Sequence, residues 1–194
     1  MRNYLKKNPK KMISYLITDP KFYTKKPDFI AAKLYEVSKK HKIDYACLRD
    51  KEAKECEEAA KAFVAACNDL KIKPILHTFW RQAAALGACG VHFAANDFKN
   101  IALAKAQNLF VTASAHSLKE ASKAALLGAD FITVSPVFYT PDKNEPLGLE
   151  KLKEITAKIP NRCIALGGIL EGSQIQMCKE AGAVGYASIR YFLK

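Results

Sequence analysis

Short apolar runs alternate with segments of helical periodicity along the whole chain, and this alternation constrains the fold more than any other feature. Strand-like runs span Ile13–Thr18, Ile43–Leu48, Lys73–Leu76, Gly90–Phe93, Leu109–Ala113, Phe131–Ser135, Cys163–Leu166 and Gly182–Ala187. Helical spacing covers Asp28–His41, Glu52–Leu70, Trp80–Leu86, Asn100–Gln107, Leu118–Leu127, Leu149–Ile159 and Gly172–Ala181, and Ser188–Lys194 reads as a short eighth helix. Strands separated by helices pair in parallel, because parallel neighbours need a crossover connection, and eight such units close a barrel. The sequence therefore predicts an α/β fold, a single (β/α)8 TIM barrel over residues 1–194. Gly128 and Gly182, each just ahead of a strand, suit the left-handed cap of the helix before it. A doubly wound open sheet competes with the barrel, but it calls for a glycine-rich turn after the first strand. That place holds Thr18-Asp19-Pro20-Lys21.

With 194 residues, 49% of them apolar and 26% charged, the chain can bury one substantial core. No window approaches the ~18 continuous apolar residues of a membrane span. The opening residues 1–11 are basic, lack an apolar leader stretch and read as a frayed start to a cytoplasmic protein. Six cysteines (47, 56, 67, 89, 163 and 178) lack zinc-site spacing, and most sit in apolar runs, the pattern of reduced, buried thiols. Cys47 stands out because it adjoins Leu48-Arg49-Asp50-Lys51. A formal charge of +12 suits polyanions or small phosphorylated molecules. The lysines lie along helix faces without the aromatic interleaving that stacks bases, so small phosphorylated substrates are expected as partners, with no nucleic acid and no membrane. Nothing in the sequence specifies an oligomeric state.

Barrel enzymes carry their chemistry where strands end and the following loops begin. Polar residues collect there: Arg49 and Lys51 after the second run, His77 after the third, Asp97 beyond the fourth, Ser114 and His116 at the fifth. Thr140 and Lys143 follow the sixth run, Gly167 and Gly168 the seventh, and Ser188 the eighth. Arg49 and Lys51 suit a diphosphate, with Asp50 or Glu52 as alternative ion-pair partners. Lys143 with Thr140 pairs a charge with a hydroxyl donor. Gly167 and Gly168 allow backbone amides to approach an anion, and a helix opening near Ser188 would aim further amides at the same place. Asp97 is a candidate Mg2+ ligand, with a helix N-cap as its alternative reading. His77 and His116 are acid/base candidates near neutral pH, or structural side chains.

Taken in order, Tyr15–Asp19 (YLITD), Leu48–Lys51 (LRDK), Gly90–Phe93 (GVHF), Ser114–Ser117 (SAHS), Gly128–Thr140 (GADFITVSPVFYT), Pro146–Glu150 (PLGLE), Ala165–Ile169 (ALGGI) and Ala181–Ser188 (AGAVGYAS) resemble the landmarks of one superfamily. It comprises thiamine phosphate synthase and thiazole tautomerase, phosphate-binding (β/α)8 barrels, and the resemblance covers nearly the whole chain. It implies a thiamine-biosynthesis transferase that joins hydroxymethylpyrimidine diphosphate to thiazole phosphate and releases diphosphate with the help of Mg2+. In that scheme Arg49, Lys51 and Lys143 would hold diphosphate, Asp97 would ligate the metal, and Ser114 and Thr140 would hydrogen-bond substrate. Gly168 and the strand end at Ser188 would hold the thiazole phosphate. The chain departs from the synthase pattern at His77-Thr78, where the family has Asn-Asp, and at Cys47 and Ala95, where it has glutamine. It departs again at Asp142, in place of threonine, whereas Pro136 stands where the tautomerase carries its catalytic histidine. The tautomerase reaction on thiazole carboxylate phosphate, with His77 or His116 moving the proton, is one alternative. A non-catalytic protein that binds thiazole or thiamine phosphate is another.

Overall fold

The computed structural model describes residues 11–24, 26–50, 57–141, 143 and 145–194. Readings that fall on residues 1–10, Lys51, Glu52, Cys56 and Asp142 lie outside the described residues.

Strands β1 (Ile13–Ile17), β2 (Tyr45–Leu48), β3 (Lys73–His77), β4 (Gly90–Phe93), β5 (Phe110–Ala115), β6 (Phe131–Val134), β7 (Cys163–Leu166) and β8 (Gly185–Ser188) form a closed parallel barrel in chain order. Pairing of Leu16 with Ser188 joins β8 back to β1, which excludes the open sheet. Around the barrel run α1 (Pro20–Tyr23), α2 (Pro27–Ser38), α3 (Glu57–Asp69), α4 (Trp80–Ala83), α5 (Ile101–Ala106), α6 (Leu118–Leu126), α7 (Gly148–Lys158) and α8 (Gly172–Glu180). Among the described residues no helix is long and apolar enough to cross a membrane.

Both faces of each strand are covered, which is why the strands read as near-continuous apolar runs. Leu16, Ala46, Leu76, Val91, Val111, Ile132 and Ala165 pack outward with the helices. Tyr15, Ile17, Cys47, Ile75, Ile164 and Ala187 form a separate cluster that fills the barrel. Helix α3 shows how the outer layer is made: Ala59, Ala60, Phe63, Val64, Ala66 and Cys67 form one buried stripe. At the N-terminal end of the barrel, the rings of Tyr45, Phe110 and Phe131 close the interior, with centroids 5.3 Å apart for Tyr45–Phe110 and 5.1 Å for Phe110–Phe131. Space for a ligand is left at the opposite, C-terminal end.

Gly128 (φ 97°) and Gly182 (φ 89°) take the left-handed conformation expected of them. Other boundaries differ from the sequence reading for local reasons. β2 starts at Tyr45 because Asp44 is turned toward β1, its carboxylate accepting from both the amide (2.9 Å) and the hydroxyl (2.9 Å) of Ser14. Helix α1 was not legible as a periodic segment; Asp19 starts it by accepting from the Lys21 amide at 3.1 Å, with Pro20 at the first helical position. The closing helix expected over Ser188–Lys194 is a 3-10 turn over Tyr191–Leu193.

Candidate active site

A cavity of about 550 Å3 opens at the C-terminal ends of the strands. Of the residues singled out above, Arg49, His77, Ser114, His116, Thr140, Lys143, Gly167, Gly168 and Ser188 all line it. Asp97 does not; it sits in a 3-10 turn, Ala95–Asn100, beyond β4.

One wall is the loop after β7. Gly167 (φ 97°) and Gly168 (φ 67°) are both left-handed, and the room a side chain would need is taken by the loop after β6. A Cβ on Gly167 would lie 2.7 Å from the Cα of Pro136, and one on Gly168 would lie 2.7 Å from the Cβ of Phe138. The carbonyls of the β7 loop are tied down from outside. Gln174 Nε2 donates to the Gly168 carbonyl at 2.9 Å, and Ser188 Oγ donates to the Ile169 carbonyl at 2.8 Å. Among the described residues, the amides of Gly168, Ile169, Ile189 and Arg190 donate no hydrogen bond, and all four residues line the cavity. Unpaired amides cost free energy unless water or an anion meets them, so two adjacent loops present an anion cup. Ser188 therefore acts as a brace for this cup. Gln174 escaped the sequence reading, although Glu171 and Gln174 carry the spacing of a capping box, which α8 forms.

Cations line the same cavity. Arg49 Nη1 lies 3.0 Å from Asp19 Oδ2, so an ion-pair partner sits at the end of β1. Thr18 Oγ1 accepts from the Arg49 amide at 2.9 Å, which fixes the base of the same side chain. Thr140 donates to the Phe138 carbonyl at 3.1 Å and its own carbonyl accepts from the Lys143 amide at 3.3 Å, so the β6 loop folds back and carries an exposed Lys143 to the rim. Arg190 adds a third described cation to the lining, and Glu145 adds a carboxylate.

The floor carries imidazoles and hydroxyls. His116 Nδ1 lies 2.7 Å from the Ser135 carbonyl, an acceptor only, so Nδ1 carries a proton and Nε2 is left for the cavity. Its amide donates to Glu120 at 2.7 Å while Ser117 caps α6, so the start of that helix holds His116 in place. His92 was missed because it sits inside the apolar run Gly90–Phe93. It lines the cavity 3% exposed, with Nε2 2.8 Å from Ser114 Oγ and Nδ1 2.9 Å from Tyr15 Oη. Burial, then the nearby charges of His77 and Arg49, hold His92 well below its ordinary pKa, so it is neutral. The His77 ring packs 5.9 Å from that of His92.

The described residues contain no group of three or more histidine, cysteine, aspartate or glutamate side chains that could cage a metal. Mg2+ needs only one or two carboxylates when substrate phosphates supply the rest. Asp97, outside the lining, has a partly buried carboxylate that makes no described hydrogen bond or ion pair. Cys47 lies buried beneath the site, and burial pushes its thiol up to about 12.

Comparison with known proteins agrees with this architecture. The sequence profile of a family described as "Thiamine monophosphate synthase" matches residues 14–192. A protein of Aquifex aeolicus named "Putative thiamine-phosphate synthase 2" is 36% identical over 185 residues, covering 93% of this chain and 97% of its own. A thiamine-phosphate synthase of Chloroflexus aurantiacus is 37% identical over 112 residues, 55% of this chain and 51% of that one. Among solved structures, a thiamine phosphate pyrophosphorylase from Pyrococcus furiosus superposes with a TM-score of 0.79 at 27% identity, covering 93% of this chain and 87% of its own. An N-acetylmannosamine-6-phosphate 2-epimerase from Clostridium perfringens shares the fold alone, with a TM-score of 0.74 at 11% identity, covering 93% and 87% of the two chains.

Proposed function

The chain belongs to the thiamine monophosphate synthase family, and from that membership we propose that its barrel mouth joins hydroxymethylpyrimidine diphosphate to thiazole phosphate. The observation that carries this reading is the lining of the cavity: an amide cup at the ends of β7 and β8 shares one cavity with cations at the ends of β2 and β6. Two anionic groups can therefore be held at once. The cup takes the compact thiazole phosphate, since Gly168, Ile169, Ile189 and Arg190 offer amides and Arg190 adds charge. Arg49, Lys143 and Thr140 take the diphosphate of the pyrimidine.

Holding both substrates turns a bimolecular encounter into a local one. The diphosphate must leave as the thiazole nitrogen attacks, so negative charge grows on the leaving oxygens. Arg49, already held by Asp19, and Lys143 stabilise that charge without reorganising, and Ser114 supplies a neutral donor from the floor. Asp97 would hold Mg2+, which when bound neutralises further charge on the leaving diphosphate. His77 and His116 line the same floor.

Calorimetric titration of the purified protein with thiazole phosphate tests the division of the site. Binding is expected in the wild type and in Arg49→Ala, and is expected to disappear in Gly168→Ala. Loss in Arg49→Ala with retention in Gly168→Ala would reverse the assignment of the two anion sites.

A further inference from the structure

Beyond Ser114, the hydrogen bonds run away from the cavity into the barrel. His92 Nε2 lies 2.8 Å from Ser114 Oγ, and His92 Nδ1 lies 2.9 Å from the hydroxyl of Tyr15. Thr133 Oγ1 lies 3.3 Å from Ser114 Oγ, 3.5 Å from His92 Nε2 and 3.5 Å from the Ala113 carbonyl. Tyr15 and His92 are 1% and 3% exposed, whereas Ser114 reaches the cavity. Four strands, β1, β4, β5 and β6, thus bring four polar side chains into one line inside an apolar barrel.

The chemistry of the groups leaves few arrangements. Burial raises Tyr15 well above its ordinary pKa and lowers His92 well below, so the phenol keeps its proton and the imidazole is neutral, with one donor and one acceptor. A buried phenol that donates to nothing loses about 1–3 kcal/mol, and His92 Nδ1 is the acceptor at hydrogen-bonding distance. The Cys47 thiol and the Thr112 hydroxyl also neighbour the Tyr15 phenol, but Thr112 Oγ1 completes no hydrogen bond, and the contact within hydrogen-bond geometry is the one to His92 at 2.9 Å. If Nδ1 accepts, Nε2 must donate, and the oxygen it faces belongs to Ser114.

We propose that Tyr15, acting through His92, sets Ser114 as an outward hydrogen-bond donor. The Tyr15 O–H gives to His92 Nδ1, the His92 Nε2–H gives to Ser114 Oγ, and Ser114 keeps its own proton for an anionic oxygen in the cavity. Thr133 does not take that proton, since its own hydroxyl donates toward Ser114 Oγ at 3.3 Å. Tyr15 is a positioning residue here, 77 positions from the histidine it sets. The donor role of Ser114 rests on the phosphate-binding reading above; the tautomer of His92 does not.

Nitrogen NMR of histidine-labelled protein reads that tautomer directly in the ligand-free state. The wild type is expected to show His92 with Nε2 protonated and Nδ1 unprotonated, and Tyr15→Phe is expected to show a mixture. Inorganic pyrophosphate affinity is expected to fall about tenfold in both Tyr15→Phe and Ser114→Ala, with no further loss in the double variant. Nδ1 protonation in the wild type, or losses that add in the double variant, would overturn the proposal. The expected tautomer in a wild-type protein that ignores pyrophosphate would instead remove the phosphate-binding reading and leave the Tyr15–His92 link standing.

Discussion

Asp19 Oδ2 stands 3.0 Å from Arg49 Nη1, so the end of β1 positions the chief cation at the end of β2. The two side chains are 28% and 17% exposed, and Asp19 also caps α1 through its other oxygen. One carboxylate therefore serves local structure and aims the guanidinium toward the mouth.

Asp19→Asn keeps a good helix cap but removes the charge that holds Arg49. Stability is expected to change by no more than about 1 kcal/mol, as for other partly exposed pairs. Both kcat and kcat/KM for the pyrimidine diphosphate are expected to fall roughly three- to tenfold, the mark of an interaction that matters most in the transition state. Steady-state kinetics with that substrate varied checks both.

Gly168→Ala places a Cβ on a residue with φ 67° and within 2.7 Å of the Phe138 Cβ. Strain and overpacking together are expected to cost roughly 2–4 kcal/mol. Thermal unfolding should show a Tm lower by on the order of 5–10 °C.

Acid should destabilise the protein through His92. Its pKa in the fold lies well below the ordinary 6.5, so the unfolded chain takes up a proton that the folded protein refuses. The stabilisation is fully present above pH 6.5 and is lost as pH falls from there toward the folded value. In Tm against pH, His92→Gln is expected to flatten that part of the fall; an unchanged slope would count against a buried neutral imidazole.

The thiol of Cys47 stays protonated at neutral pH because burial pushes it up to about 12, and burial does the same to Cys163 and Cys178. Thiolate reagents at pH 8 are expected to leave these three cysteines unmodified in the folded protein and to label them in denaturant. Mass spectrometry of the labelled peptides gives the answer site by site.

Much of the barrel was legible because each strand is buried on both faces and each connection is a helix, so the apolar pattern itself carries the topology. The strand-end residues were legible for the same reason: once the strands are placed, Arg49, Ser114, Thr140 and Gly168 can only converge at one mouth. What stayed hidden was pairing across sequence distance. Arg49 meets Asp19, 30 positions back along the chain. His92 looked like one more buried strand residue, since its partners Tyr15 and Ser114 lie on other strands. Ser188 lines the cavity, and its hydroxyl braces the Ile169 carbonyl, a contact that register alone decides.

Whether this mouth couples two phosphorylated rings is decided by mixing purified protein with hydroxymethylpyrimidine diphosphate, thiazole phosphate and Mg2+ and measuring thiamine phosphate and diphosphate together. Both products are expected in equal amounts, with the rate falling at least tenfold in Arg49→Ala. Absence of thiamine phosphate under conditions where an intact synthase produces it would remove the coupling reaction from this barrel.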